Sequence, residues 1–195
     1  MGAVRVAVLA ALALLGGAQA ETIRTAVFAG GCFWCMEPPY DKLDGVIATT
    51  SGYTGGHAES PTYEQVTFGD TGHLEAVEVT YDADRISYET LLDVFWRNVD
   101  PFDDLGQFCD KGDSYRAAVF VANDGERELA EATRRAGEER LGRAFVTRIL
   151  ERGPFYAAED YHQDYYEKNP IRYSYYRFRC RRDERLEQVW GERPD

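Results

Sequence analysis

Positive charge is scarce in this sequence: 34 acidic residues stand against 22 basic ones, and the formal net charge is −12. Surfaces that bind nucleic acid or anionic lipid need a basic patch, so neither partner is expected. An arginine-rich segment lies near the C-terminus, interleaved with acidic residues. That mixture predicts a solvated helix face. Its basic members are Arg177, Arg179, Arg181, Arg182 and Arg185.

Metal-binding residues and repeated units are also lacking. The histidines are scattered, and only one C-x-x-C pair occurs, whereas structural zinc sites commonly use two closely spaced ligand pairs. No metal site and no bound cofactor are therefore expected. Repeats, low-complexity segments and linkers are missing too, so the length of 195 residues predicts one domain and a monomer. The residues concerned are Cys32, Cys35, Cys109, Cys180, His57, His73 and His162.

Residues 1–20 differ from the rest of the chain. Arg5 is their only charge, residues 6–15 are apolar, and Ala18-Gln19-Ala20 places small residues around a polar one. This pattern predicts a secretory signal peptide cleaved before Glu21, with an N-terminal anchor as the alternative. The apolar run is short for a membrane span. A single domain over 21–195 is thus expected to be exported, to a periplasm or outside the cell, where disulfides are permitted.

The hydrophobic patterns alternate irregularly between strands and helices. Together they predict an α+β fold, a two-layer sandwich with a mixed β-sheet flanked by helices and a long wrapping C-terminal tail. The loop from Asp100 to Ser114 is long enough to suggest a functional role, and the tail begins at Gly153. The predicted strands cover 26–29, 46–53, 74–81, 115–122 and 145–150. One predicted helix begins between Cys32 and Trp34, and another follows a cap at Ser87. Further helices are predicted over 62–67, 126–141 and about 183–191.

The stretch from Thr25 to Glu37 carries the strongest chemical indication. A short apolar strand is followed by Gly30 and Gly31, which permit a tight turn, and then at once by Cys32. A cysteine at a helix start faces free backbone N–H groups and the positive end of the helix dipole, which favour the nucleophilic thiolate. The alternative is a buried cysteine that only packs. The residues alone leave both interpretations open.

Four further segments accompany this stretch in order: 52–56, 72–77, 109–116, and 161–163 with 168–170. Their sequences are Gly-Tyr-Thr-Gly-Gly, Gly-His-Leu-Glu-Ala-Val, Cys-Asp-Lys-Gly-Asp-Ser-Tyr-Arg, and Tyr-His-Gln with Lys-Asn-Pro. Together with Gly31-Cys32-Phe33-Trp34 they resemble the A-type peptide methionine sulfoxide reductases (MsrA). The resemblance spans roughly residues 24–191. It implies reduction of the S epimer of methionine sulfoxide, free or in proteins, and hence repair of oxidised proteins under oxidative stress.

The resemblance also implies a role for each matching residue. Cys32 corresponds to the nucleophile and Glu75 to the acid catalyst. Phe33 and Trp34 correspond to the aromatic pocket for the sulfoxide methyl group. The groups around the sulfoxide oxygen would be Tyr53, Asp110 and Tyr115. Taken without the resemblance, Glu75 is the polar side of an alternating strand and the aromatic residues are core or packing residues.

The implied reaction leaves a sulfenic acid on Cys32, and a second thiol resolves this acid to a disulfide. An external dithiol, such as a thioredoxin-like protein or dithiothreitol, then reduces the disulfide. Many family members resolve with a cysteine that follows Asn-Pro-x-Gly-Tyr. Here Asn169-Pro170 is followed by Ile-Arg-Tyr-Ser, so that cysteine is missing. The candidates are Cys180, Cys35 and Cys109, with Cys180 preferred because it lies on the movable C-terminal tail.

Two other functions compete with this one. A general dithiol–disulfide oxidoreductase would use Cys32 and Cys35, although no later segment offers the facing proline that such enzymes usually have. A non-enzymatic exported domain would hold its four cysteines in two permanent disulfides. Activity on a generic disulfide favours the first, and two unreactive bridges favour the second.

Overall fold

A computed structural model describes residues 22–191 of the chain. The predicted signal peptide and its cleavage site lie outside the described residues and remain predictions. Across residues 22–191, every helix is too short or too polar to cross a membrane.

A six-stranded mixed sheet forms the centre of the fold. Its strands are β1 (Ile23–Ala29), β2 (Val46–Thr54), β3 (Leu74–Asp82), β6 (Ala118–Val121), β7 (Arg148–Glu151) and β8 (Phe155–Ala157), in the order β7-β6-β1-β3-β2-β8. β6 and β7 pair in parallel, and the other neighbours are antiparallel. A separate hairpin is made by β4 (Gly106–Gln107) and β5 (Asp110–Lys111). The buried β1 and β3 thus lie in the middle of the sheet.

Seven helices flank this sheet within residues 22–191. They are α1 (Glu37–Asp41), α2 (Tyr63–Phe68), α3 (Tyr88–Arg97), α4 (Asp124–Leu141), α5 (Tyr165–Lys168), α6 (Pro170–Arg179) and α7 (Arg182–Trp190). The Ser87 side chain accepts a hydrogen bond from the Thr90 amide and caps α3, as the sequence predicts. The Phe28 ring of β1 stacks on Tyr40 and on Phe95 of α3, with ring centroids 5.3 and 5.4 Å apart. These contacts join the first strand to the helical layer.

The α+β class, the mixed sheet and the flanking helices are confirmed, with local corrections. The strand predicted over 115–122 begins only at Ala118, because Asp113–Tyr115 forms a 3-10 turn, and the strand predicted over 145–150 is shifted to 148–151. The loop 100–114 contains the β4–β5 hairpin. After Gly153 the tail contributes an edge strand and three helices, of which the sequence predicts only the last.

Candidate active site

A tight turn after β1 presents Cys32. Gly31 has a φ of +80°, and a Cβ there would lie 2.5 Å from the Gln107 Cβ, so only glycine fits. Cys32 then precedes a 3-10 turn over Phe33–Cys35, and α1 follows with prolines in its first turn. Prolines are tolerated there because the first N–H groups of a helix have no partner within it. The helix predicted to begin at or near Cys32 is thus a short 3-10 turn followed by a five-residue helix.

The electrostatics of Cys32 differ from the sequence prediction. Cys32 and Cys35 are both buried free thiols, joined by a hydrogen bond. Burial, followed by this hydrogen bond and the nearby Glu75, raises the pKa of Cys32 well above its ordinary value, so the prediction of a thiolate favoured by a helix start was wrong. The hydrogen bond from Cys32 lowers the pKa of Cys35 to about 6. The pair therefore carries one negative charge near pH 7, with Cys35 placed to accept the Cys32 proton.

Glu75 lies beside this pair. It follows Leu74 at the start of β3, directly opposite Tyr53 of β2, and is only 1 % exposed. Its Oε2 accepts a hydrogen bond of 3.1 Å from the Phe33 amide. Burial raises the pKa of Glu75 to about 8 despite that hydrogen bond, with smaller contributions from Asp110 and Cys35. The side chain is therefore protonated at neutral pH and can donate a proton.

Phe33 and Trp34 belong to an aromatic cluster. Phe33 is fully buried and packs against His162, with ring centroids 4.9 Å apart. Trp34 stacks on Tyr165, with ring centroids 3.6 Å apart. Its indole N–H donates a hydrogen bond of 3.0 Å to His162 Nδ1. Burial lowers the pKa of His162, so the ring is neutral and its Nδ1 can accept this hydrogen bond. The cluster provides an apolar wall next to Cys32, suited to a methyl group attached to sulfur.

Tyr53 and Tyr115, assigned to the sulfoxide oxygen, have different neighbours. The Tyr53 hydroxyl donates to Glu159 Oε2 at 2.9 Å, and Glu159 Oε1 accepts from the Tyr63 amide at 2.9 Å. The Tyr115 hydroxyl is hydrogen-bonded to Tyr63. Burial, followed by nearby acidic groups that include Glu75, raises the pKa of both Tyr53 and Tyr115, so both remain hydrogen-bond donors. Tyr53, Tyr63 and Tyr115 thus all lie close enough to Glu75 for its charge to raise their pKa values.

Asp110 is brought to the site from the hairpin. Its Oδ2 accepts a hydrogen bond from the Tyr176 hydroxyl of α6, and burial raises the pKa of its carboxyl group. Asp110 also adds a smaller contribution to the raised pKa of Cys32. Tyr176 meets the edge of Trp34, with ring centroids 6.0 Å apart. The α6 helix thus closes the site from the tail side, a role that the sequence prediction of an irregular tail did not include.

The resolving-cysteine candidates fall into two groups. Cys109 and Cys180 are joined in a disulfide with their Cα atoms 4.9 Å apart, whereas Cys35 is a free thiol hydrogen-bonded to Cys32. Asp110 lies with the two disulfide cysteines, but sulfurs bonded to each other do not serve as thiolate metal ligands. One bridge and two free thiols do not match the domain with two permanent disulfides.

Arg182 corrects the interpretation of the arginine-rich segment. Its guanidinium is buried and donates to the carbonyl oxygens of Gly30 and Asn98 at 3.2 and 2.6 Å. The pKa of Cys35 is lowered mainly by the hydrogen bond from Cys32. Burial opposes this lowering, and the positive charge of Arg182 adds to it. The other arginines of the segment are at least partly exposed, as predicted. Arg182 thus holds in place the backbone turn that presents Cys32.

Six residues at the site had no assigned role in the sequence analysis: Tyr63, Glu159, His162, Tyr165, Tyr176 and Arg182. His162 lies within the Tyr-His-Gln motif and could have been considered from it. Tyr176 and Arg182 have no comparable signal, because their contacts join segments 66 and 152 residues apart.

Comparison with known proteins agrees with this geometry. A family profile described as "Peptide methionine sulfoxide reductase" matches residues 24–194. A protein of Bacillus licheniformis named "Peptide methionine sulfoxide reductase MsrA" is 51 % identical over 179 residues, covering 91 % of this chain and 99 % of its own length.

Solved structures show the same fold. Methionine sulfoxide reductase A of Corynebacterium diphtheriae superposes with a TM-score of 0.69 at 31 % identity, covering 79 % of this chain and 78 % of that one. Reduced Mxr1 of Saccharomyces cerevisiae gives a TM-score of 0.71 at 33 % identity, with coverage of 76 % and 87 %. Mxr1 in complex with Trx2 gives 0.52 at 25 % identity, with coverage of 73 % and 84 %.

Proposed function

The chain belongs to the peptide methionine sulfoxide reductase family, and we propose that Cys32, Glu75 and Cys35 serve as its nucleophile, acid and resolving thiol. The chain is accordingly an oxidoreductase that reduces methionine sulfoxide to methionine. We assign it the S epimer, free or within oxidised proteins. The observation that carries the assignment of roles is the buried Glu75, hydrogen-bonded to the amide that follows Cys32 and protonated at neutral pH.

The first step joins these groups in one reaction. The Cys32 sulfur attacks the sulfoxide sulfur while its proton passes to Cys35 along their hydrogen bond. Glu75 gives its proton to the sulfoxide oxygen, which would otherwise leave as a strongly basic anion. Tyr53 and Tyr115 donate to that oxygen as charge develops, once their hydroxyls turn away from Glu159 and Tyr63. The S–O bond breaks as the protonated oxygen leaves as hydroxide, which then attacks the Cys32 sulfur of the newly formed S–S bond. That bond breaks with its electron pair on the departing methionine, and Cys32 keeps the oxygen as a sulfenic acid.

Resolution by Cys35 follows from proximity. Attack of the Cys35 thiol on the sulfenic acid forms the Cys32–Cys35 disulfide and releases water. Cys180, the preferred candidate from the sequence, is already bonded to Cys109, so its thiol is not free in this state. The general oxidoreductase alternative uses the same two cysteines but gives no purpose to Glu75 or the aromatic cluster.

Recycling then needs an external dithiol. Cys32 and Cys35 are buried, whereas Cys109 is exposed, so a protein reductant meets the Cys109–Cys180 disulfide first. Once reduced, that pair can reduce Cys32–Cys35 by two successive thiol–disulfide exchanges and return to its own disulfide. Asp110 adjoins Cys109 and acts electrostatically on both Cys32 and Cys35, which supports closeness of the two pairs. A thioredoxin-like protein fits the role, since Mxr1 forms a complex with Trx2.

We place the reaction outside the cytoplasm. The pattern of residues 1–20 supports export, and an oxidising compartment is compatible with the Cys109–Cys180 disulfide. The reductant would then be an exported thioredoxin-like protein. N-terminal sequencing of the protein recovered from an exporting host tests this, with Glu21 expected as the first residue.

Counting methionine without added reductant tests the assignment of the cysteines. The fully reduced chain, freed of reductant and given the S-sulfoxide, is expected to form two methionines, one for each cysteine pair. The Cys109→Ser/Cys180→Ser variant is expected to form one and to end with Cys32 linked to Cys35 in a peptide map. A dimedone adduct on Cys32 of that variant, with no Cys32–Cys35 link, would instead identify Cys180 or Cys109 as the resolving thiol.

A further inference from the structure

The outer face of α6 carries an exposed row of apolar side chains. Ile171, Tyr175 and Phe178 are 86 %, 66 % and 78 % exposed, although each has a large apolar side chain. Their spacing of four and three residues places them on one side of the helix, and they are called here the α6 stripe. Single exposed apolar residues are ordinary, but a continuous row on a helix whose other side is packed marks an interaction surface.

The charge around the α6 stripe is opposite to that of the whole chain. α6 contains no acidic residue, and the exposed Arg172 and Arg179 lie on one flank of the stripe. Arg181 lies two residues beyond the helix end and is exposed, but its guanidinium is paired with Glu184, so Arg172 and Arg179 supply the positive charge beside the stripe. The chain as a whole has a net charge of −12, so α6, which has arginines and no acidic residue, is locally basic. A partner with an acidic surface would be attracted to it more strongly than to the remaining surface.

The α6 stripe leads to the Cys109–Cys180 disulfide. Cys180 ends α6 two residues after Phe178, and Cys109 is exposed. A cleft of about 490 Å³ is bordered by both cysteines and by Arg179 and Arg181. A neighbouring cleft of about 680 Å³ is bordered by Phe178 and the same two arginines, and also by Arg177 and the acidic Asp183 and Glu184. A protein seated on the stripe therefore has an open path for its thiol to the disulfide.

We propose that the α6 stripe is the docking surface for the acidic, dithiol-bearing protein that reduces Cys109–Cys180. This rests on the proposed function, in which electrons enter at that disulfide. The partner's thiolate attacks one sulfur of the disulfide, forming a mixed disulfide and releasing the chain's other sulfur as a thiolate. The partner's second thiol then attacks the partner sulfur of the mixed disulfide and releases the chain's remaining thiol, so that the partner ends as a disulfide.

Two other occupants fit the observations less well. A protein substrate must deliver its sulfoxide to Cys32 and Glu75, which lie on the side of α6 that Tyr176 faces, whereas the stripe lies on the other side. A second copy of the chain on the stripe would place Arg172 and Arg179 of one helix near those of the other, and these like charges would repel each other. The stripe of one ten-residue helix is also small for a stable dimer, which commonly buries about 800 Å² on each partner.

Steady-state kinetics with two reductants test the proposal. Phe178→Glu and Ile171→Glu should raise the KM for thioredoxin, supplied with thioredoxin reductase and NADPH, by about tenfold or more. With dithiothreitol, which needs no docking surface, turnover should stay within about twofold of wild type. Phe68→Glu is the matched control, because Phe68 is an equally exposed aromatic residue (85 %) on α2. It should leave both reactions unchanged.

The other outcomes are distinguishable. An unchanged KM for thioredoxin in both stripe variants overturns the proposal. The proposal is also overturned if the stripe variants raise the KM for an oxidised protein substrate while the KM for free methionine sulfoxide is unchanged. That result would assign the stripe to substrate binding. A wild-type dimer that Phe178→Glu converts to monomer overturns it as well. If wild type fails to reduce methionine sulfoxide even with dithiothreitol, the proposed function itself fails and docking is not the cause.

Discussion

Replacement of Cys32 by serine is expected to lower the turnover of methionine sulfoxide by about a thousandfold or more. A serine hydroxyl remains protonated at neutral pH, and the Cys35 thiolate is too weak a base to remove its proton. An alcohol also cannot form a sulfenic acid, so no disulfide can follow. The measurement is methionine release from an (S)-sulfoxide peptide with dithiothreitol in excess.

The matched control is Cys109→Ser/Cys180→Ser, which removes two cysteines outside the attack step. With dithiothreitol this variant should keep most of the wild-type rate, because a small dithiol is not confined to the exposed disulfide. If Cys32→Ser retains more than about a tenth of the wild-type rate, Cys32 is not the nucleophile.

Replacement of Glu75 by glutamine is expected to lower kcat/KM by about a hundredfold to ten-thousandfold. The glutamine oxygen can still accept the hydrogen bond from the Phe33 amide, so the geometry is kept while the proton donor is lost. Because burial raises the pKa of Glu75 to about 8, wild-type kcat/KM should fall as pH rises above that value. That alkaline limb should be missing in Glu75→Gln. A limb that persists there would assign the titration to another group.

Glu75→Gln should lower activity but raise the stability of the folded chain at alkaline pH. The folded chain keeps the Glu75 proton up to about pH 8, whereas the unfolded chain loses it near 4.5, so wild type loses stability as pH rises between these values. Glutamine carries no such proton. The Tm of Glu75→Gln should therefore exceed that of wild type at about pH 9, and the difference should shrink at about pH 4. A variant that is less stable at the higher pH would show that Glu75 is not held protonated by burial.

One part of the candidate site could be predicted from sequence because it is local: Cys32, Phe33 and Trp34 are contiguous. Glu75 lies 42 residues from Phe33, and only the family resemblance indicated a role for it. The sequence could not show that Glu75 is buried, because its alternating pattern is equally typical of a polar strand face. It also gave the wrong ionisation for Cys32, since the depth of burial opposes any local effect of a helix start.

The tail was harder to predict for a physical reason. Tyr176 and Arg182 are held by partners far away in the sequence, Asp110 and the Gly30 carbonyl. A buried arginine that donates to two backbone carbonyls has the same sequence signature as a solvated one in a charged segment. The helical pattern of α6 is also obscured, because its apolar residues occupy both faces, one against the site and one exposed as the α6 stripe.

The most direct measurement is turnover of the two sulfoxide epimers of one methionine-containing peptide, each supplied separately with dithiothreitol. We predict that the S epimer is converted to methionine, that the R epimer is left unchanged, and that wild type and Cys109→Ser/Cys180→Ser behave alike. If neither epimer is consumed while a generic disulfide is reduced, the methionine sulfoxide assignment is contradicted. The buried Cys32–Cys35 pair would then belong to a general dithiol–disulfide oxidoreductase.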